Sequence, residues 1–189
     1  MDKKLSEMSL EELWQLFPIY LTEHKPGWSK DYDSEIKVLK ELLPAYDVKR
    51  FSHIGSTAIE GIWAKPIIDI LVELVPDCGM QHKKDMLTTN GYICMSEVSG
   101  RMSFNKGYTE NGFAEKVFHL HLRNAGDNDE LYFRDYLNEY PVIAKQYEKL
   151  KLELWKQYEH NRDEYTEKKT DFITAITKKA KEEFRAKYS

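Results

Sequence analysis

Hydrophobic residues recur at helical spacing near both ends of the chain, and they alternate or run together in its middle. Near the N terminus, Leu10, Leu13 and Phe17 fall on one face. Ser9 with Glu12 forms a capping-box pattern just before that face. The pattern predicts a short helix over 9–16, which an edge strand over 19–22 is expected to follow. Spaced leucines and isoleucines then predict a second helix that ends before a proline at position 44.

The middle of the chain shows strand patterns. One strand is expected to end at 51–54, and the apolar run at 67–73 predicts a buried strand in which positions 69, 71 and 73 share one face. After a helix that ends near 90, the segments 91–97 and 101–106 predict a hairpin.

Strict alternation predicts a further strand over 115–123, with His119, His121 and Arg123 on the same side. The polar segment 106–114 before it is expected to be a loop. Both histidines therefore point the same way.

The C-terminal third is predicted to be helical. Helices are expected over 131–138, from Pro141 onward, and after a cap formed by Asn161 with Glu164. We therefore expect one domain over 1–189, with a sheet core at about 19–123 and a helical part at about 128–186. Strands with interspersed helices followed by helices predict an α/β (α+β) fold with a mixed sheet.

Charge and composition restrict the partners. The chain of 189 residues carries 28 basic and 32 acidic side chains without a basic block, which opposes broad electrostatic capture of nucleic acid. A small-molecule or protein partner is favoured. Cys78 and Cys94 match no metal or redox spacing. The sequence starts without the long apolar core of a signal peptide, and its most apolar window, 67–76, is too short to span a bilayer, so a cytoplasmic protein with no membrane contact is expected.

Gly55, Ser56 and Thr57 form a small-residue turn between a strand and a helical turn. Backbone N–H groups at such a turn suit a phosphate. The alternative is an ordinary tight turn whose hydroxyls cap the helical turn.

Asp69 interrupts the apolar strand 67–73. A carboxylate in that setting must be paired, protonated or bound to a cation, because an unpaired buried charge costs several kcal/mol or more. Metal binding or base catalysis competes here with a structural ion pair to Lys65 or to an arginine elsewhere.

The pattern His-Ile-Gly-Ser-Thr-Ala at 53–58, continued to Gly61, and Ala-Lys-Pro-Ile-Ile-Asp-Ile at 64–70 resembles the GrpB (UPF0157-like) family of the nucleotidyltransferase superfamily. Ile59, Glu60 and Ile62 depart from the family pattern, and later landmarks extend the resemblance over about 26–175. The resemblance implies a nucleotidyltransferase-like sheet with a C-terminal helical bundle. It also implies that the Gly-Ser turn holds the phosphates of a nucleoside triphosphate and that strand acids hold a divalent metal ion, with Mg²⁺ expected first.

The second acid of that superfamily is missing, because its usual position two residues after the first is Leu71. Glu73 cannot replace it, since four strand residues separate two backbones by about 13 Å. His119 and His121, about 6.6 Å apart on one face, are the clustered candidates for completing a site with Asp69, which would suit Mn²⁺ or Zn²⁺ better than Mg²⁺. Otherwise the two histidines are hydrogen-bonded inside a polar groove.

Lys65, Arg101, Lys106 and Arg123 are expected to line the same cleft and to form an anion pocket for a nucleotide or another phosphorylated ligand. The predicted function is transfer of a nucleotidyl group to a small acceptor, with Asp69 and Lys65 as catalytic residues and with Lys65 and Arg101 steadying the leaving pyrophosphate. The alternative is a non-catalytic binding module, related to the GrpB-like domains attached to dephospho-coenzyme A kinases. A histidine-based metal hydrolase is a third interpretation.

Overall fold

The computed structural model describes residues 3–185 and 187–188. Its centre is a five-stranded sheet in the order β1-β2-β5-β4-β3, in which β2 and β5 are parallel and the other neighbours are antiparallel. The strands are β1 (Val48–Ile54), β2 (Ile68–Leu74), β3 (Ile93–Val98), β4 (Arg101–Thr109) and β5 (Gly112–Asn124).

Helices lie on both faces of this sheet. They are α1 (Leu10–Leu16), α2 (Gly27–Leu42), α3 (Met80–Thr89), α4 (Asp129–Glu139), α5 (Pro141–Tyr158), α6 (Arg162–Glu167) and α7 (Thr170–Phe184). Two predicted caps are confirmed: the Ser9 hydroxyl accepts from the Glu12 N–H at 3.2 Å, and the Asn161 side chain accepts from the Glu164 N–H at 3.1 Å. The mixed-sheet α/β class predicted from the sequence is confirmed.

The two faces of the sheet differ in chemistry. One face buries Ile70 of β2 and Leu120 of β5 completely, and these residues pack with others against Leu39 of α2 and Leu87 of α3. Each such aliphatic side chain contributes about 1.5–3 kcal/mol when it is fully buried. Side chains alternate along a strand, so Asp69 and the polar side chains of β5 lie on the opposite face.

The helical part packs on the segment that follows the Gly-Ser turn. Ile59 and Ile62 of that segment are buried against Leu137 of α4, Ala144 of α5 and Ile176 of α7. This packing fixes the C-terminal helices beside the turn. Among the described residues, no helix combines the length and the apolar run that crossing a bilayer requires.

Three local predictions were wrong. Residues 19–22 form no strand, and only a single bridge joins Thr22 to Ala64. Residues 106–114 are the β4–β5 hairpin, whose register shifts near Gly107; a Cβ there would lie 2.3 Å from the Lys116 carbonyl oxygen. The bulge lets a polar, glycine-containing segment stay paired. The last predicted helix is two helices, α6 and α7, separated at Lys168 and Lys169.

Candidate functional site

The Gly-Ser turn and the strand acid are in direct contact. Gly55 has φ +69°, and a Cβ built on it would lie 2.3 Å from the Asp69 Oδ2 atom. Only glycine combines this backbone conformation with such a close approach. The antiparallel pairing of Ile54 with Asp69 sets this proximity, so the turn and the carboxylate form one unit.

His119 and His121 flank the same carboxylate. Parallel pairing of β2 with β5 aligns Asp69 with His119 and Leu71 with His121. The Nδ1 atom of His119 and the Nε2 atom of His121 each lie 3.4 Å from the Asp69 Oδ1 atom. The two histidines point the same way, as the alternation predicts, and the structure adds that this side faces Asp69, whose side chain is about a quarter exposed, at 26%.

The second nitrogen of His119 identifies its tautomer. Its Nε2 atom faces the Tyr108 hydroxyl at 2.8 Å and the Arg162 Nη2 atom at 3.3 Å. Arginine only donates hydrogen bonds, so this nitrogen accepts and Nδ1 carries the proton that faces Asp69. Burial lowers the pKa of His119, which agrees with a neutral ring.

His121 shows the same arrangement with the nitrogens exchanged. The Arg123 Nη2 atom lies 3.4 Å from its Nδ1 atom, so Nδ1 accepts and the Nε2–H faces Asp69. Burial raises the pKa of Asp69, but hydrogen bonds from His119 and His121 outweigh burial and hold this pKa well below its usual range. The carboxylate is therefore ionised and has two N–H donors.

These residues do not fit a bound metal ion in this arrangement. A histidine ligand must offer a ring lone pair, whereas both nitrogens that face Asp69 carry protons. Within residues 3–185 and 187–188, no three or more His, Cys, Asp or Glu side chains are grouped to hold a metal ion. The second acid position is filled by Leu71, which is fully buried. A metal site at Asp69, His119 and His121 stays a prediction that this geometry does not support.

A cavity of about 860 Å³, called here the first cavity, lies between this face of the sheet and the C-terminal helices. The predicted residues Gly55, Ser56, Thr57, Lys65, Asp69, His119 and His121 all line it. The helices α5 and α6 add Tyr147, Lys151, Arg162 and Tyr165, and the turn between α6 and α7 adds Lys169. The sheet and the helical part therefore build the site together.

Four basic residues, Lys65, Lys151, Arg162 and Lys169, line the first cavity together with the turn. Among the ion pairs formed by the described residues, none includes any of the four. The Nζ atoms of Lys65 and Lys169 instead lie over the Tyr165 ring, 5.3 and 4.3 Å from its centroid.

Burial, with a smaller contribution from neighbouring positive charges, lowers the pKa values of three lysines in the first cavity. Burial, with repulsion from Lys169, lowers the pKa of Lys151 to about 7, and its amine donates to the Trp63 carbonyl oxygen. Burial lowers the pKa of Lys169 to about 8, and burial with repulsion from Lys169 and Arg162 lowers that of Lys65. An anion bound here would reverse these shifts, since it favours the charged amines.

The remaining predicted cations lie elsewhere. Arg101 is 56% exposed and forms a two-point ion pair with Asp127, at 2.6 and 2.7 Å. Lys106 pairs with Glu35 at 2.5 Å and is aligned with Phe118, on the opposite face from the histidines. The structure thus places Arg101 and Lys106 outside the first cavity, because one is at the far end of β4 and the other alternates to the core face.

Arg123 is buried and contacts the site only through a histidine. Its Nη1 atom donates to the Met102 carbonyl oxygen at 3.0 Å, and its Nη2 atom faces His121. Glu73 is fully buried and pairs with Arg50 at 2.5 Å, which agrees with its exclusion from the site.

The sequence analysis missed the helical cations. Lys151 follows Tyr147 by four residues and precedes Leu154 by three, so it falls on the apolar stripe of α5. A lysine on such an apolar stripe indicates a buried cation, so Lys151 could have been identified from the sequence. Lys169 likewise follows Tyr165 by four residues, whereas nothing in the pattern singles out Arg162.

The mixed sheet, the Gly-Ser turn against a strand-borne acid and the helices closing a cavity define an α/β protein with a cavity shared by its sheet and its helical part. The model of the family described as GrpB protein matches residues 18–179, so the chain belongs to the GrpB family. The family membership predicted from the motif is confirmed.

Relatives and solved structures agree with this membership. The Glutamate-rich protein GrpB of Alkalihalophilus pseudofirmus is 36% identical over 170 residues, which cover 84% of this chain and 93% of the relative. The UPF0157 protein YqkA of Bacillus subtilis is 30% identical over 94% of this chain but only 52% of its own length. The crystal structure of GrpB from Enterococcus faecalis has a TM-score of 0.76 and 30% identity, covering 87% of this chain and 99% of that one.

Proposed function

We propose that this protein binds a nucleoside triphosphate, or a small molecule with a comparable polyphosphate group, in the first cavity. The observation that carries the proposal is that Lys65, Lys151, Arg162 and Lys169, none of them in an ion pair among the described residues, line the same cavity as the Gly-Ser turn. A polyphosphate would supply the negative charge that these side chains lack. The Ser56 hydroxyl and the backbone of the turn would donate to the same oxygens.

The rest of the cavity suits the organic part of such a ligand. Phe133 and Ile173 line it beside Thr174 and Thr177. Its volume of about 860 Å³ is within the range of small-molecule sites. The lining also includes the acids Asp129, Glu130 and Glu182 from α4 and α7, where Lys181 pairs with Asp129 at 2.5 Å.

Binding is better supported than transfer of a nucleotidyl group. Asp69 is held ionised by two N–H donors and is a weak base, and the second acid is absent. The close approach of Asp69 to the turn favours transfer to a small acceptor as a second candidate function, since the carboxylate lies beside the proposed phosphate position. The proposed binding requires no metal ion.

Isothermal titration calorimetry with ATP, GTP, CTP, UTP and inorganic tripolyphosphate, each with and without Mg²⁺, tests the proposal. We expect binding without Mg²⁺, and Ser56→Ala should weaken it by about 0.5–1.5 kcal/mol. Lys169→Met should weaken it further, whereas Lys149→Met should not, because the Lys149 side chain is 80% exposed. Absence of binding at millimolar ligand by folded protein would refute the proposal. Pyrophosphate release on addition of a metal would favour the second candidate.

A further inference from the structure

A second cavity, of about 900 Å³, lies on the same face of the sheet, between the N-terminal segment and strands β3 and β4. It shares three residues with the first cavity: His119, His121 and Arg162. The two histidines that hold Asp69 therefore stand at the boundary between two spaces. A molecule in the second cavity would lie next to one bound in the first.

The second cavity differs from the first in charge. Its charged lining residues are Lys4, Glu110, Arg162 and Asp163, two of each sign. Apolar side chains from α1 and β3, including Leu13 and Met95, form much of the remaining lining. This composition favours an uncharged occupant, whereas the first cavity favours an anion.

Aromatic side chains form one wall of the second cavity. Trp14, Phe17 and Tyr108 line it, and the Phe17 and Tyr108 ring centroids are 4.7 Å apart. Tyr108 in turn is stacked on His119, with centroids 5.9 Å apart and an interplanar angle of 21°. Such a wall suits a planar ring, which can stack or contact edge-to-face.

Polar side chains of β4 face the same cavity. Asn105 lines the cavity, its side chain makes no hydrogen bond with another described residue, and its amide is accessible from the cavity. Ser103 lines the cavity with its hydroxyl equally without such a bond. The register aligns Asn105 with His119 and Ser103 with His121, so all four side chains lie on one face. The Asn105 amide offers both a donor and an acceptor to the cavity, so a ligand with a complementary edge can pair with it.

We propose that the second cavity binds an uncharged, planar aromatic or heteroaromatic molecule with a carboxamide-like edge. The edge pairs with the Asn105 amide, and the ring lies against Trp14 and Tyr108. Its role as the partner of the anion, brought beside Asp69 by the shared histidines, rests on the proposed function. The site itself rests on the geometry of the second cavity alone.

Ligand-observed NMR titration of the full chain, without nucleotide, tests this site with benzamide and nicotinamide as probes. Benzoate and toluene are the matched comparisons, because the first adds a charge and the second lacks the polar edge. We expect both amides to bind at least about fivefold more tightly than either comparison. Equal binding of toluene, or no binding of either amide at millimolar concentration, would overturn the proposal.

Two variants locate the probes. Asn105→Leu, nearly equal in size, and Trp14→Ala, at a partly exposed position, should each weaken benzamide binding at least about fivefold. Lys149→Met should leave it unchanged. Benzamide binding that survives Trp14→Ala in folded protein would place the probe elsewhere and overturn the proposal, even if Asn105→Leu does not fold.

Tripolyphosphate binding, measured on the same proteins, separates this proposal from the proposed function. Tripolyphosphate that binds while benzamide does not would overturn only the second site. Benzamide that binds while tripolyphosphate does not would support the second site and remove the anion as its neighbour.

Discussion

Replacement of Lys151 by methionine should make the unliganded protein more stable and weaken its binding of polyphosphate. Lys151 is 2% exposed, and its pKa is lowered from 10.5 to about 7. At about 1.4 kcal/mol per pKa unit, keeping this amine in the cavity costs the folded state up to about 4 kcal/mol at pH 7. Methionine has a similar length and no charge.

Part of that gain is offset. The Lys151 amine donates to the Trp63 carbonyl oxygen, and an unsatisfied buried carbonyl costs about 1–3 kcal/mol. We therefore expect Lys151→Met to raise the free energy of unfolding at pH 7 by about 1–3 kcal/mol. For a chain of this size that corresponds to a rise in Tm of about 2–4 °C per kcal/mol.

The lowered pKa also fixes the direction in which the stability of the parent protein changes with pH. A lysine whose folded pKa is lowered binds fewer protons in the folded than in the unfolded state between about pH 7 and 10.5. The parent protein therefore gains stability as pH rises through this window. Lys151→Met lacks that gain, so its advantage should be largest at or below pH 7 and should shrink towards pH 10.

Urea denaturation of parent and variant at pH 6.5, 8 and 9.5 measures this difference, with tripolyphosphate calorimetry on the same samples. Lys149→Met is the matched control, since it lies on the same helix with its side chain 80% exposed and a 4.0 Å pair with Glu153. The control should change stability by less than about 0.5 kcal/mol. A Lys151→Met protein that is less stable than the parent at pH 6.5 would refute the reasoning, because the buried amine would then stabilise the fold.

Three further substitutions test the site. Gly55→Ala should destabilise the protein by about 1–3 kcal/mol in thermal melts, because φ is +69° and the new Cβ would meet the Asp69 carboxylate, whereas Gly27→Ala, with open space around it, should not. Asp69→Asn should cost about 1–3 kcal/mol near neutral pH, since both histidine N–H groups then donate to a neutral amide oxygen, which is a weaker acceptor than the carboxylate; the pKa of Asp69 is lowered, so the loss should fade as pH falls below about 4. A rise in the parent's Tm with Mn²⁺ or Zn²⁺ that Asp69→Asn abolishes would instead establish a metal site. Arg101→Ala should leave tripolyphosphate binding unchanged in calorimetry, because Arg101 pairs with Asp127 at the surface, and a clear loss of binding would place the anion elsewhere.

Local patterns predicted most of the sheet and the cluster around Asp69. Alternation along 115–123 was enough to place His119 and His121 on one side, and the parallel pairing of β2 with β5 then put that side beside Asp69. Lys106 was misplaced because it lies five residues after Arg101 on β4, so alternation puts the two side chains on opposite faces, and Lys106 is aligned with Phe118 on the core face. Side-chain direction is set residue by residue, and one added residue reverses it.

The missing part of the prediction was long-range. Lys151, Arg162 and Lys169 line the cavity from the helical part, about a hundred residues after the turn in the sequence, and the position of this part depends on how Ile59 and Ile62 pack against it. No local periodicity encodes that packing. The sequence therefore contained the turn and the acid in one motif, but it distributed the positive charge among distant elements.

The helical part supplies most of the positive charge in the first cavity. At the turn, the two histidine N–H groups already donate to the Asp69 carboxylate, so they are not available to an incoming phosphate. The sheet therefore offers little positive charge to such a ligand. The cations come mainly from α5, α6 and the turn between α6 and α7, where burial beside few acids has lowered the pKa of Lys151 and Lys169. A bound polyphosphate would restore the protons of these amines. Anion binding at this site should therefore be coupled to proton uptake and should stabilise the C-terminal helices against the sheet, because the ligand would bridge the two.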